Sequence, residues 1–264
     1  GVEVVSTGYL PLANNYRAMR QVKVTVLSLG LLNNVISGAQ LFDWSNATSG
    51  KININGDIRA LNFDRDKDVT YNELGVDVGN SPTILPPGSG TRTYGQALTL
   101  PAIDEAGLLY YATNTKGRVF YTDQTFSGNL NNEGVYFVYG NAAIISGGNL
   151  NKTTIYATGN ITITGSVSMK ASNSHSANDT FPNLATKNGN IYTTDMPGSI
   201  TRDFDGLIYS QNGYIDLSYI QGVAVMAPIV RLRGYISLTF NGKYVDDDAF
   251  IQGASSNSVV WQEQ

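Results

Sequence analysis

The chain of 264 residues lacks cysteine, contains a single histidine, His175, and is poor in charged side chains, which make up 14% of it. Without cysteine, no disulfide and no cysteine-ligated metal site can form. No apolar run approaches the roughly 20 residues that a membrane-spanning helix needs. The net charge of -4 at pH 7 argues against attraction of the whole molecule to nucleic acid or to anionic lipid.

Glycine and tyrosine are abundant, with 28 and 16 residues, as expected of an ordered, turn-rich β protein. A motif of the form Gly-x-Ile-x-aliphatic recurs along the chain. Its copies are residues 50–54, 159–163, 213–217 and 234–238, with weaker copies at 140–144 and 189–193. In each copy the aliphatic residues are two positions apart, so they point to the same side of a strand. The leading glycine permits the positive φ needed where a strand turns a corner.

Short strands of this kind cannot bury an apolar side alone, but the stacked turns of a β-solenoid can. The sequence therefore predicts an all-β fold that combines a β-solenoid (β-helix-like) with a small antiparallel sheet. We expect Ile54, Ile163, Leu217 and Leu238 to point into the solenoid. The alternative is an antiparallel sandwich or barrel, whose strands also alternate.

Strand-like segments at both ends of the chain, residues 1–30 and 254–264, predict that the two termini form this sheet. The solenoid is expected to occupy residues 31–253, with loop excursions near 64–132 and 170–205, where turn-forming residues are frequent. Helix signals are almost absent, and the segment that begins at Ile103 is expected to form a turn or two at most.

Several segments resemble PilX-type and ComZ-like minor pilins of type IV pilus systems. Ser6-Thr7-Gly8 and residues 17–26 resemble the strand pair of the pilin sheet, and residues 52–59 and 154–163 resemble the solenoid region of these proteins, in the same order. The resemblance implies a pilin-like sheet formed by the termini. It also implies a non-catalytic, extracellular minor or tip subunit at the cell surface.

The same resemblance implies contacts with other pilin subunits and a role in DNA uptake (competence) or adhesion. The implied ligands are DNA or surface glycans, bound through the exposed solenoid surface. Attachment to the membrane would be made only by an N-terminal helix, which precedes such ectodomains and is not in this chain.

A calcium site is one candidate for bound metal. Asp64, Asp66 and Asp68 follow the spacing of positions 1, 3 and 5 of a calcium-binding loop. The match is incomplete, because Val69 replaces the glycine of position 6 and Gly75 stands where a bidentate glutamate belongs. The alternative is a solvated acidic turn. No other cofactor is suggested by the sequence.

A small basic group is the best candidate for DNA binding. Arg231 and Arg233 flank Leu232, so on a strand both guanidinium groups emerge on one side. Phosphate contacts at these residues, with tyrosines stacking on bases, predict weak and salt-sensitive DNA binding. The alternative is a surface pair that stabilises stacked strands.

Signals of catalysis are weak. His175 lies in a Ser/Asn-rich segment, without the Gly-x-Ser-x-Gly elbow of serine hydrolases. Asp203 and Asp205 are a candidate carboxylate pair of the kind that glycosidases use, although a polar loop is the simpler explanation. We therefore expect a protein that is not an enzyme. The rival functions are a carbohydrate-active β-helix enzyme and a solenoid adhesin unrelated to pili.

Overall fold

The computed structural model describes a large part of the chain. The described residues are 2–11, 17–26, 34–43, 47–64, 83–84, 92–93, 99–114, 117–128, 134–145, 148–150, 153–169, 182–194, 202–222, 224–239, 251–252 and 262–263. Their secondary structure is almost entirely β, with a single α-helix among these residues.

The strands and the helix have the following bounds. They are β1 Val2–Pro11, β2 Arg17–Val26, β3 Asn34–Asp43, β4 Ala47–Asn55, β5 Asp57–Asp64, β6 Thr83–Ile84, β7 Arg92–Thr93, β8 Ala102–Ile103, α1 Glu105–Asn114, β9 Gly117–Phe120, β10 Gln124–Phe126, β11 Gly134–Val138, β12 Ala142–Ile145, β13 Gly148–Asn149, β14 Thr153–Ala157, β15 Ile161–Thr164, β16 Val167–Met169, β17 Leu184–Thr186, β18 Ile191–Thr193, β19 Arg202–Phe204, β20 Leu207–Ser210, β21 Tyr214–Gly222, β22 Ala224–Thr239, β23 Ile251–Gln252 and β24 Gln262–Glu263.

Nineteen of these strands form one sheet that winds into a solenoid with three faces. Each face is a ladder of parallel strands. The first face contains β9, β11, β14, β17, β20, β7 and the first parts of β22, β3 and β5. The second contains β10, β12, β15, β18 and parts of β21, β22, β3 and β5. The third contains β13, β16, β19, β4, β6 and the ends of β21 and β22.

The order of the stack differs from the order of the chain. β22 pairs on one side with β20 and β21, and on the other side with β3 and β4. The first turns in the sequence therefore stack on the last turns. At the opposite end, β9 pairs with β11, and β10 pairs with β12.

The recurring motif supplies the solenoid core, as predicted. Ile54, Ile163, Leu217 and Leu238 are fully buried in one hydrophobic cluster. The parallel pairing of the solenoid strands is incompatible with the antiparallel sandwich. The copies divide between two faces: residues 140–144, 159–163, 189–193 and 213–217 lie on the second face, and residues 50–54 and 234–238 lie on the third.

The glycines that begin these copies serve two purposes. Gly140 and Gly234 adopt the expected positive φ, 130° and 69°. At Gly189 glycine is required because there is no room for a side chain. A Cβ there would lie 1.9 Å from the carbonyl oxygen of Gly159. Gly213 meets the oxygen of Gly189 in the same way, at 2.0 Å. Successive turns thus approach each other at this corner more closely than any side chain allows.

Helix α1 is longer than the turn or two predicted from the sequence, since it extends over ten residues. Asp104 caps it by accepting a hydrogen bond from the amide of Gly107 at 3.0 Å. Leu108 and Ala112 pack on the outward side of the first face, which is itself apolar. A helix of this length is marginal in isolation, so it depends on its packing on the solenoid in addition to the Asp104 cap.

The two termini share an antiparallel sheet, as predicted. β1 pairs with β2, and β2 pairs with β24 near the C-terminus. This confirms the combination of a β-solenoid with a small sheet formed by the chain ends. The residue boundaries between the two regions stay a prediction.

Candidate functional site

The second face presents an uncharged surface on four consecutive turns. Its outward side chains, here called the threonine face, are Thr125, Ala143, Ile145, Thr162, Thr164, Tyr192 and Thr194. They arise from strict alternation, since the residues between them point into the core. In β15, for example, Ile161 and Ile163 are buried, whereas Thr162 and Thr164 face outward.

The parallel register aligns these side chains in two rows. Thr125, Ala143, Thr162 and Tyr192 pair in succession in the first row, and Ile145 pairs with Thr164 in the second. Neighbouring parallel strands are about 4.8 Å apart, and outward residues on one strand are about 6.6 Å apart. The threonine face therefore forms a regular grid of methyl and hydroxyl groups. The hydroxyls of Thr164 and Thr194 lie 2.5 Å apart, which joins adjacent turns.

An asparagine ladder holds the edge of this face. Asn141 accepts a hydrogen bond from the amide of Asn160 at 2.9 Å, and Asn160 accepts one from the amide of Asn190 at 2.8 Å. Asn190 then accepts from the amide of Tyr214 at 3.0 Å. Each asparagine side chain satisfies a backbone donor at the corner of the next turn. The Gly-Asn pair therefore combines close approach with a hydrogen bond between turns.

Charged side chains replace the uncharged ones on the continuation of the second face. Arg231 pairs in register with Asp216 on one side and Asp43 on the other. Its Nε lies 3.6 Å from a carboxylate oxygen of Asp43, and Arg233 Nε donates to Asp216 at 2.7 Å. The structure thus brings both predicted DNA-binding arginines onto one face, as expected, and pairs each with an aspartate. DNA binding at these residues stays a prediction.

The predicted calcium site is described only in part. Asp64 ends β5, where its backbone pairs with that of Asp43, and Asp66 and Asp68 lie outside the described residues. A rise of the Tm with calcium concentration, lost in a variant with all three aspartates changed to Ala, would support the site. In the part of the chain that the structure describes, no three His, Cys, Asp or Glu side chains are grouped so that they could hold a metal ion.

Two of the three candidate catalytic residues, Asp203 and Asp205, lie among the described residues. Asp203 lies on β19 in the third face, between Ser168 and Gln221 of adjacent turns. Asp205 follows β19 at the next corner, where its amide donates to the carbonyl of Met169 at 3.2 Å. His175 lies outside the described residues. The expectation of a protein without catalytic activity stays a prediction.

The first face is closed by α1 and by the segment before it. The hydroxyl of Tyr156 donates to the carboxylate of Glu105, which also forms an ion pair with Lys187 at 3.1 Å. The hydroxyl of Tyr209 donates to the carbonyl of Pro101. Burial raises the pKa of both tyrosines far above the usual range, and at Tyr156 the hydrogen bond and charge of Glu105 raise it further. The part of this face that packs against α1 and the segment before it is therefore unavailable to a large ligand.

The threonine face was not among the sites predicted from the sequence. Its signal is the residue type at the positions between the inward aliphatic residues, as in Ile-Thr-Ile-Thr at residues 161–164. That signal can be found only after the strands have been assigned to a shared face.

Comparison with known proteins identifies no family. No protein-family profile matches the chain, and no curated protein matches it. Among solved structures, the DUF3494 domain of ice-binding protein 1 from Shewanella frigidimarina is 15% identical to the chain. The match covers 83% of this chain and 99% of that domain, with a TM-score of 0.38. A TM-score this low supports no inference about the function of this chain.

The identification as a PilX-type or ComZ-like minor pilin is wrong. No family profile and no curated protein supports the pilin resemblance, and the solved structure described above is an ice-binding domain and not a pilin. The segments on which it depended are strands of a solenoid and of a small terminal sheet, and such repeats are shared by unrelated β proteins. The β-solenoid fold is shown by the strand pairing and does not depend on the pilin resemblance.

Proposed function

We propose that this protein is a non-catalytic binding protein that attaches to an ordered, uncharged surface through its threonine face. The observation that carries this proposal is the regular grid of uncharged side chains on four stacked turns. Ice and crystalline polysaccharide are two surfaces with the required chemistry. Both are met outside the cell, so we propose an extracellular location.

A rigid grid favours a ligand that is itself ordered. The inward side chains of the same strands, such as Ile144 and Ile163, are buried in the core, and the hydrogen-bonded ladder fixes the corner beside them. The outward groups therefore lose little conformational freedom on binding. For a mobile surface, the loss of conformational freedom would strongly oppose binding. Many weak contacts made at once can then add up to stable attachment.

The absence of charge on the threonine face distinguishes this mode of binding from electrostatic attachment. Its seven side chains carry no formal charge, so the interaction should depend little on ionic strength. Binding through Arg231 and Arg233 would instead weaken steeply with salt, because phosphate contacts release counterions. Salt dependence therefore separates the two modes.

The test is adsorption of the protein to ice crystals, microcrystalline cellulose and crystalline chitin. We expect the wild type to adsorb to at least one of these surfaces, with little change between low and moderate salt. Changing Thr162 and Thr164 to Asp should reduce adsorption by about tenfold or more, because the charges would have to be dehydrated at the contact. The control is Ser237→Asp, which places a single carboxylate on an outward position of the third face.

Three results would contradict the proposal. The first is no adsorption of the wild type to any of the three solids. The second is equal loss in the threonine-face variant and in Ser237→Asp. The third is adsorption that disappears at moderate salt, which would indicate electrostatic attachment.

A further inference from the structure

An exposed pair of tyrosines lies at the corner between the first and second faces. Tyr121 and Tyr139 stack with ring centroids 5.5 Å apart and an angle of 6° between the rings. Tyr121 is 79% exposed and Tyr139 is 38% exposed. Tyr139 also contacts Phe137, with ring centroids 5.0 Å apart, so it is partly held by the covered face. Because Tyr121 is so exposed, packing in the core does not explain why a tyrosine occupies this position.

A fixed carboxylate lies on the same corner, two residues beyond Tyr121. Asp123 accepts two hydrogen bonds from Asn141, from the backbone amide at 2.8 Å and from the side-chain amide at 3.1 Å. Gly140, between Tyr139 and Asn141, makes room for it, because a Cβ there would lie 2.3 Å from Asp123 Oδ1. The carboxylate therefore lies against the backbone that follows Tyr139.

The hydrogen bonds also settle the charge of Asp123. The backbone hydrogen bond from Asn141, and then the side-chain one, lower the pKa of Asp123. The group is therefore ionised at neutral pH. Each carboxylate oxygen has a further lone pair that can accept a hydrogen bond. The corner thus combines a flat aromatic surface with an oriented acceptor.

We propose that this corner, formed by Tyr121, Tyr139, Asp123 and Asn141, is a binding site for a neutral glycan. The faces of aromatic rings carry negative charge density and attract C–H groups, and one face of a pyranose ring presents such groups. The hydroxyls at the rim of the sugar would donate to Asp123. This site goes beyond the surface attachment proposed above, because a single soluble sugar chain is sufficient as its ligand.

A nucleobase is the other common ligand of exposed aromatic rings. The charge at this corner argues against it, since Asp123 repels the phosphates that supply most of the affinity for nucleic acid. A neutral sugar meets no such repulsion. Charge complementarity therefore favours the glycan.

The test is isothermal titration of the full chain with cellohexaose, chitohexaose and a short single-stranded DNA. We expect the wild type to bind at least one hexasaccharide, and any binding of the DNA to be unchanged in Tyr121→Ala, because the corner is not expected to take part in it. Tyr121→Ala should raise the Kd by about tenfold, because it removes the exposed aromatic contact. Asp123→Asn should weaken binding as well, since it removes the charged acceptor. Tyr121→Phe keeps the ring and should bind within about twofold of wild type.

The matched control is Tyr110→Ala on α1, because Tyr110 is also an exposed tyrosine, at 67%, and lies outside this corner. It should leave the Kd unchanged. The double variant Thr162→Asp, Thr164→Asp should also bind hexasaccharide normally, so failure of this proposal and failure of surface attachment are separate results. The glycan proposal is overturned if neither hexasaccharide binds, if Tyr121→Ala binds like wild type, or if only the DNA binds.

Discussion

The first and second faces of the solenoid share one core but differ on their outward side. On the first face, strands such as β11 and β14 are buried along their whole length, because both sides are covered. On the second face, β12 and β15 alternate between buried and accessible residues. The outward residues of the first face that pack against α1, such as Phe137 and Tyr156, are apolar, whereas those of the threonine face are uncharged and mostly hydroxylated.

This difference shows that the outward residues decide what a face of the solenoid does. The core-facing residues are of the same kind on both faces. Ile155 on the first face and Ile163 on the second are both fully buried. An apolar outward side, such as that of Phe137 and Tyr156, requires a cover, and α1 provides it. A face whose outward side chains are uncharged and polar requires no cover and stays available for binding.

The largest effect on stability is expected when a carboxylate is introduced on the inward side of a strand and not on its outward side. Ile163→Asp would bury a carboxylate in the core and should lower the free energy of unfolding by about 4 kcal/mol or more. Thr162→Asp, one residue away, should change it by no more than about 0.5 kcal/mol, because its side chain faces outward. Urea unfolding of the two variants measures the difference. Similar losses in both would mean that the assignment of inward and outward sides is wrong.

The cover on the first face is tested by truncating its main contact. Leu108 is fully buried between α1 and the strands, so Leu108→Ala should cost about 2–4 kcal/mol. Tyr110→Ala, on the exposed side of the same helix, should cost less than about 1 kcal/mol. Chemical denaturation measures both. An unfolding free energy unchanged in Leu108→Ala would show that α1 does not stabilise the covered face.

The covered face should also lose stability at alkaline pH. In the folded protein the pKa values of Tyr156 and Tyr209 are raised, whereas unfolded tyrosine titrates near about pH 10. The stabilisation from keeping these hydroxyls protonated is thus fully present below about pH 10 and is lost as pH rises further. Each tyrosine should contribute a slope of up to about 1.4 kcal/mol per pH unit.

Phenylalanine variants at these two positions test the alkaline loss. Tyr156→Phe and Tyr209→Phe remove the titrating groups, so each should flatten the decline of the unfolding free energy between about pH 10 and 11. The measurement is urea unfolding at a series of pH values. A slope that is identical in wild type and in the double variant would assign the alkaline loss to other groups.

The smallest effect on stability is expected on the charged part of the second face. Arg231 and Arg233 form ion pairs that are partly exposed to solvent, and such pairs contribute about 0–1 kcal/mol. Changing both to Ala should therefore cost little stability. If the arginines also bind DNA, gel-shift titrations of the double variant should show a salt dependence reduced by about two phosphate contacts. A wild type that binds no DNA at low salt would remove that role.

Much of the fold could be predicted from the sequence because the recurring motif is local. The alternation in Ile-Thr-Ile-Thr fixes which side chains of β15 point inward, whatever the neighbouring strands are. The strands at the two ends of the chain could be recognised for the same reason. Helix α1 could not, since its amphipathic signal is weak and its stability comes from packing on the first face.

The candidate sites depend on contacts between residues that are distant in the sequence. The threonine face brings Thr162 beside Ala143 and Tyr192, and the tyrosine pair joins Tyr121 to Tyr139. In each case the register between turns places them side by side. A single strand carries no information about that register, so the residues could be named only once the turns were stacked.

The sequence by itself determined that the strands alternate, that their aliphatic residues form a core, and that glycine and asparagine recur at the corners. Local steric and hydrophobic preferences are sufficient for these features. Only the tertiary structure decided that β3 stacks on β22 and that α1 covers one face. It also decided that Arg202 is fully buried, where it donates to the carbonyl of Ser218 at 2.7 Å. Long-range packing determines these features, because an arginine that would otherwise be solvated enters a core only where neighbouring turns supply acceptors.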